Sequence, residues 1–166
     1  MESASSAHTP PEGYPHPSSA AARSTMLANR RRDTAPERAL RSLLHAQGLR
    51  FRCDYPILTS RRRVRVDIAF TKPRVAVFVD GCFWHLCPQH SQIPLANRAY
   101  WLPKLQRNVA RDREVDQALT EAGWTVMRFW EHVSIDDAAA AVLRTLREAS
   151  RAGAGAACPP EPRKAR

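Results

Sequence analysis

Two cysteines, two histidines and two large aromatics fall within residues 82–90, directly after Gly81, in the run Asp-Gly-Cys-Phe-Trp-His-Leu-Cys-Pro-Gln-His. Cys82, Cys87 and His90 have the spacing of three soft or borderline metal ligands, and such a set needs a fourth. His85 permits two readings. As a ligand it would compete with His90; facing a cleft, it could deprotonate or orient a water molecule. A second kind of chemistry belongs to Asp67, which follows Arg61, Arg62, Arg63 and Arg65. Strand alternation puts Val64, Val66, Ile68 and Phe70 on one face and Asp67 on the other. A carboxylate so placed can hold a divalent cation against a phosphate that the arginines help to position. The plainer alternative is a surface pair with Arg65. Phe83 and Trp84 cannot both alternate into a core, so at least one is expected to face outward, where rigid rings can wedge between base pairs. Core packing is the competing explanation.

These residues need elements to hold them. Thr34 to Gln47 reads as a helix, with Thr34 and Glu37 forming a capping box, Pro36 tolerated in the first turn and Gly48 ending it. Its apolar side is Leu40, Leu43 and Leu44, and capping alone is a sufficient job for Glu37. Leu49 to Cys53 reads as a short strand burying Cys53, and Pro56 to Ser60 as a loop. Val64 to Phe70 and Val75 to Val79 then form two strands around the Lys72-Pro73 turn. Together they outline a restriction-endonuclease-like core. The lysine usual two residues after an acid on the second strand is absent, since Val77 and Val79 stand there.

After a loop over 91–99, a helix is predicted from about Lys104 to Ala122, closed by Gly123. Leu105, Val109, Val115 and Leu119 make its apolar arc, and Asn108, Asp112 and Asp116 at or within that arc require polar partners. These could be groups in a cleft or simply an arginine. Trp124 to Phe129 is a further apolar strand; Ser134 and Asp137 then cap a helix that buries Val142, Leu143 and Leu146. The fold class is α/β, with a central mixed sheet flanked by helices. One domain over 23–149 lies between low-hydrophobicity tails, 1–22 and 150–166, expected to be disordered. His8, His16 and Cys158 fall in those tails.

The formal charge of the 166 residues is +10. Residues 23–65 hold 12 basic against 3 acidic side chains, and such a concentrated block suits a polyanion such as nucleic acid. A solubilising arginine-rich surface would look similar. No basic segment leads into an apolar run at the N-terminus, and no stretch is apolar enough to span a membrane. A reducing compartment is therefore expected, where cysteines beside histidines favour metal over disulfides.

Five blocks resemble, in order, the very short patch repair (Vsr) DNA mismatch endonucleases. They are Arg32-Asp-Thr-Ala-Pro-Glu37; Val66-Asp-Ile68; Val79-Asp-Gly-Cys-Phe-Trp-His85; Tyr100-Trp-Leu-Pro-Lys104 with Asn108 and Arg111-Asp112; and Gly123-Trp124 leading to Trp130-Glu-His132. The resemblance covers roughly residues 24 to 146. It implies Mg2+ held by Asp67 and the Val79 backbone carbonyl, with His85 catalytic and Glu37 and Asp112 close to the chemistry. His132 would complete a closed structural Zn2+ site with Cys82, Cys87 and His90. Phe83, Trp84 and Trp101 would intercalate beside the mismatch, while Met26, Lys104, Asn108 and Arg111 contact DNA. Some members have a histidine where this chain has Asp80, and some a threonine where it has Val79. The implied activity is a strand-specific nick 5′ to the thymine of a T:G mismatch arising from deaminated 5-methylcytosine. That suggests a cytoplasmic, nucleoid-associated monomer linked to a DNA cytosine methyltransferase. The alternatives are a nuclease of the same core without mismatch specificity, and a noncatalytic zinc-stabilised DNA-binding protein.

Overall fold

The structure is a computed structural model describing residues 19–20, 23–24 and 32–155, with side chains as far as Arg151. Met26, His8, His16 and Cys158 lie outside the described residues. The elements are α1 (Ala35–Ala46), β1 (Arg52–Leu58), β2 (Arg63–Phe70), β3 (Val75–Asp80), α2 (Arg98–Glu121), β4 (Thr125–Trp130) and α3 (Ile135–Gly155).

Short turns join β1 to β2 and β2 to β3, so these three strands run antiparallel. The long helix α2 returns the chain to the starting end, and β4 enters parallel to β3. The result is a mixed sheet in the order β1-β2-β3-β4. On one face α1 and α3 bring Leu40, Leu44 and Val142 against Ile68, Phe70, Val75 and Val77. Across the sheet, Leu119 and Val115 of α2 pack with Ile57, Val64, Val66 and Phe78. This is the helix-flanked, restriction-endonuclease-like core expected from the sequence. Both capping boxes form: the Glu37 and Asp137 backbone N–H groups donate to Thr34 Oγ1 at 3.5 Å and Ser134 Oγ at 3.1 Å.

Several boundaries differ from expectation. The first strand begins at Arg52 and runs through Pro56, which pairs with Arg65. A proline is tolerated there because β1 is an edge strand with one side unpaired. Cys53 is exposed, not buried, for the same reason. Helix α2 starts at Arg98, ahead of the expected Lys104, and includes Pro103. Asn97 O accepts the N–H groups of Tyr100 and Trp101, so a turn is already closed before the proline. Helix α3 continues past Ser150 to Gly155.

The most consequential difference is in β2. Val64 and Val66 pack toward α2, whereas Ile68 and Phe70 pack toward α1 and α3, so the four do not share a face. The switch falls at Asp67. Pairing of β2 with β3 stops at Ile68–Val77, and beyond it the Asp67 side chain accepts the Val79 N–H at 2.9 Å. A carboxylate has taken the place of a ladder carbonyl where the two strands part.

Candidate active site

Because β3 and β4 are parallel, the segments that follow them leave the sheet at the same end. Glu131 N–H donates to Asp80 O at 2.9 Å, and Glu131 Oε1 accepts the Cys82 N–H at 2.7 Å. This stitching brings His132 to a loop that lies some fifty residues earlier in the chain. Cys82 Sγ is 3.1 Å from His132 Nδ1; Cys87 Sγ is 3.8 Å from both His90 Nδ1 and His132 Nδ1; the two Nδ1 atoms are 3.1 Å apart. All four donors lie within 4.8 Å of one another. A tetrahedral Zn2+ with bonds of about 2.0–2.3 Å would need donor–donor edges of roughly 3.3–3.8 Å. The thiolate and imidazole set fits that ion, and four protein ligands leave no place for a reacting water. His85 is not a member.

His85 instead turns toward α2. Its Nδ1 lies 2.5 Å from Asp112 Oδ2 and 3.8 Å from Asp80 Oδ1. Burial alone would push the imidazole down, but the Asp112 hydrogen bond and the two negative charges outweigh it and hold the ring above its usual value. For Asp112, burial pushes upward and is in turn overcome by His85, leaving that carboxyl below its usual range. With Nδ1 engaged by Asp112, the ring presents Nε2 as the atom able to take a proton.

Asp67 is half-buried, and burial pushes its carboxyl up to about 6 despite the Val79 N–H bond; Glu37 and Asp80 raise it further. An acid crowded in this way gains by binding a cation. Its second oxygen and a backbone carbonyl are hard donors of the type Mg2+ takes. Glu37 is buried at the start of α1, where it accepts from Asp33 N–H at 3.0 Å and Thr34 Oγ1 at 2.9 Å and pairs with Arg41 at 2.5 Å. It thus has a complete structural role and still acts on Asp67 through its charge. The plainer alternative, an Arg65–Asp67 surface pair, is not formed: Arg65 binds Asp54 at 3.0 Å.

The aromatics form one cluster. Phe83, Trp84 and Trp101 meet edge to face at centroid separations of 5.0–6.0 Å, and Tyr100 joins at 5.2 Å from Trp101. Trp101 is buried at 7% exposure, while Phe83 and Trp84 are half-buried. Lys104 Nζ lies 5.8, 5.1 and 5.3 Å from the Trp84, Tyr100 and Trp101 ring centres and donates to Tyr100 OH at 2.9 Å. Asn108 donates to Trp84 O at 3.2 Å, fastening the aromatic loop to α2. Arg111 is exposed on the same helix.

Sequence reasoning missed Arg128. Its guanidinium bonds both Asp80 oxygens at 2.9 and 3.0 Å and Asp116 at 2.9 and 3.1 Å, with Asp112 at 4.0 Å. The signal was a single arginine inside an otherwise apolar strand, which demands buried anionic partners. An open cleft is walled by His85, Asp112, Asp116, Arg128 and Trp130. Asp67 is not on its wall and joins the group through β3. Arg61 and Arg62 pair with Glu121 and Glu114 on α2.

A family model described as DNA mismatch endonuclease Vsr matches residues 18–90. The chain is 54% identical over 134 residues to the type II nicking enzyme V.NaeI of Lentzea aerocolonigenes, covering 80% of this chain and 81% of that one. It is 41% identical over 104 residues to the type II nicking enzyme V.XorIIP of Xanthomonas oryzae pv. oryzae, covering 61% and 73%. With the DNA mismatch endonuclease Vsr of Escherichia coli it shares 40% identity over 109 residues, covering 64% and 66%. Among the described residues no helix is long and apolar enough to cross a membrane.

Proposed function

Since the chain belongs to the Vsr family of DNA mismatch endonucleases, we propose that it nicks one strand of duplex DNA 5′ to the thymine of a T:G mismatch. The observation that carries this reading is the junction at the end of β3, where Asp67 grips Val79 and the neighbouring Asp80 faces the His85–Asp112 pair. Val79, Asp80 and His85 follow one another in one short stretch of chain, to which β2 adds the Asp67 carboxylate and α2 the Asp112 that orients the base.

In this reading His85, held by Asp112, accepts the proton of the attacking water through Nε2. Asp67 and the Val79 carbonyl are the groups that would hold Mg2+, with Glu37 setting the local charge. When bound, Mg2+ would stabilise the charge developing on the phosphate. The Cys82, Cys87, His90 and His132 site fixes the loop that carries Phe83 and Trp84 and takes no part in bond cleavage. Those rings, with Trp101 behind them, wedge beside the mismatch and offset the cost of unstacking. Lys104, Asn108 and Arg111 lie along the helix that backs the wedge and serve the DNA backbone, as does the segment containing Met26. The lesion is a deaminated 5-methylcytosine, which links the protein to a cytosine methyltransferase, and a single cleavage centre on a nonpalindromic site suits a monomer.

The test is strand-resolved cleavage of T:G and T:A duplexes in varied sequence contexts, with wild type beside Asp67→Ala. Nicking of T:G alone, dependent on Mg2+ and lost in the variant, is expected. Equal cutting of T:A would assign a nuclease blind to mismatches, and absence of cutting in every context would leave a DNA-binding protein.

A further inference from the structure

Two carboxylates compete for His85. Asp112 Oδ2 lies 2.5 Å from Nδ1, and Asp80 Oδ1 lies 3.8 Å from the same atom. A small ring rotation would exchange one partner for the other and swing Nε2 with it. Asp80 is 7% exposed, so water does little to occupy its oxygens. What occupies them is Arg128, whose Nη1 contacts both at 2.9 and 3.0 Å.

The guanidinium is itself fixed from three directions. Its Nε bonds both Asp116 oxygens at 2.9 and 3.1 Å, its face lies 4.4 Å from the centre of the Phe78 ring, and its far nitrogen is 4.0 Å from Asp112 Oδ1. Arg128 stands on β4 opposite Phe78 of β3, while Asp112 and Asp116 sit one turn apart on α2. One planar fork therefore joins the sheet to the helix that carries the partner of His85. Lysine, a point charge with no fork, cannot span Asp80 and Asp116 together.

We infer that Arg128 is a positioning residue for the reaction: by sequestering Asp80 and tying it to α2, it leaves Asp112 as the hydrogen-bond partner of His85 Nδ1 and so fixes where Nε2 points. The inference rests on the proposed nicking activity for its kinetic consequence, but its structural consequence can be read without any activity.

The experiment compares wild type, Arg128→Met, Arg128→Lys and the double variant Arg128→Met/Asp80→Asn in two measurements. The first is the downfield proton on His85 Nδ1, observed by NMR with 15N-labelled histidine. The second is the single-turnover nicking rate on a T:G duplex, alongside the Kd for that duplex. Arg128→Met is expected to move or broaden the downfield proton and to slow nicking on the order of 100-fold, the scale of a misplaced catalytic group. Its Kd should stay within about twofold, since phosphate contacts are untouched. Adding Asp80→Asn, which removes the competitor, should restore both the resonance and most of the rate. Should Arg128→Met fail to fold, Arg128→Lys, which keeps the charge and the stem over Phe78, is expected to show the same two losses. An unchanged downfield proton in folded Arg128→Met or Arg128→Lys overturns the inference, as does a double variant that recovers neither signal. Absence of nicking by wild type would sink the proposed activity and leave the NMR comparison to decide the role of Arg128.

Discussion

Asp67 and His85 show how far single residues can be read before a fold is known. A lone acid behind arginines and a histidine inside a cysteine loop both advertised chemistry. Their partners did not, because pairing Asp67 with Val79 or His85 with Asp112 requires strand and helix positions that no local spacing encodes. The environment that results makes definite pH predictions. Burial lifts Asp67 from 3.8 to about 6, so between those values the folded chain keeps a proton that the unfolded chain has lost. Stability from this group therefore declines as pH rises through that window. At pH 8 the ionised form costs on the order of 2–3 kcal/mol. Asp67→Asn retains an acceptor for the Val79 N–H, so in metal-free protein it should raise Tm more at pH 8 than at pH 5 while abolishing nicking. Equal Tm changes at both pH values would refute the assignment. His85 sits above its usual 6.5, and a base must be neutral to accept a proton. The nicking rate should therefore climb with pH through a midpoint above 6.5. Asp112→Asn should lower that midpoint and cut the maximal rate on the order of 10²-fold, as a pH–rate series would reveal.

Elements were legible where their stop and start signals are chemical. The Thr34–Glu37 and Ser134–Asp137 boxes marked both helix starts correctly. Prolines misled, since Pro56 lies in an edge strand and Pro103 inside α2; both positions are tolerable only in a context that the neighbouring elements create. Thr34→Ala should cost about 1 kcal/mol, measurable by urea unfolding, and should leave Glu37 with the Asp33 N–H and Arg41 as its partners. The 81–90 loop carries its own turns, His85 N–H to Gly81 O and Cys87 N–H to Cys82 O, and the four ligands add a restraint that ties it to His132. Removing the metal with a strong chelator, or making His132→Ala, should lower Tm and change the Trp84 and Trp101 fluorescence, with mismatch binding lost. The far-UV CD spectrum should survive largely intact, because the two cores packed on the sheet contain none of the four ligands. Loss of all secondary structure on chelation would show instead that the metal holds the whole fold.

At the scale of the molecule, the mixed sheet and its helical layers followed from element types. The parting of β2 from β3 at Asp67 did not, because it depends on a side chain replacing a backbone acceptor. The charge excess of residues 23–65 is partly spoken for: Arg61 and Arg62 rest on α2 acids, and Arg32 and Arg65 share Asp54. These are surface pairs, weak and screened by salt, so phosphates can displace them. Binding to duplex DNA should fall steeply with salt, by about 0.9 in log–log slope per phosphate neutralised, and with similar slope for matched and mismatched duplexes. A salt-independent affinity measured by fluorescence anisotropy would exclude this electrostatic grip. The parallel seating of β4 beside β3 has one more effect. A ribosome makes Asp67, His85 and Asp112 first, yet the strand bringing Arg128, Glu131 and His132 emerges only afterwards. A chain ending before Thr125 would carry Asp67, His85 and Asp112 yet lack both the fourth metal ligand and the guanidinium fork, so each grouping is completed only when the last strand is laid in place.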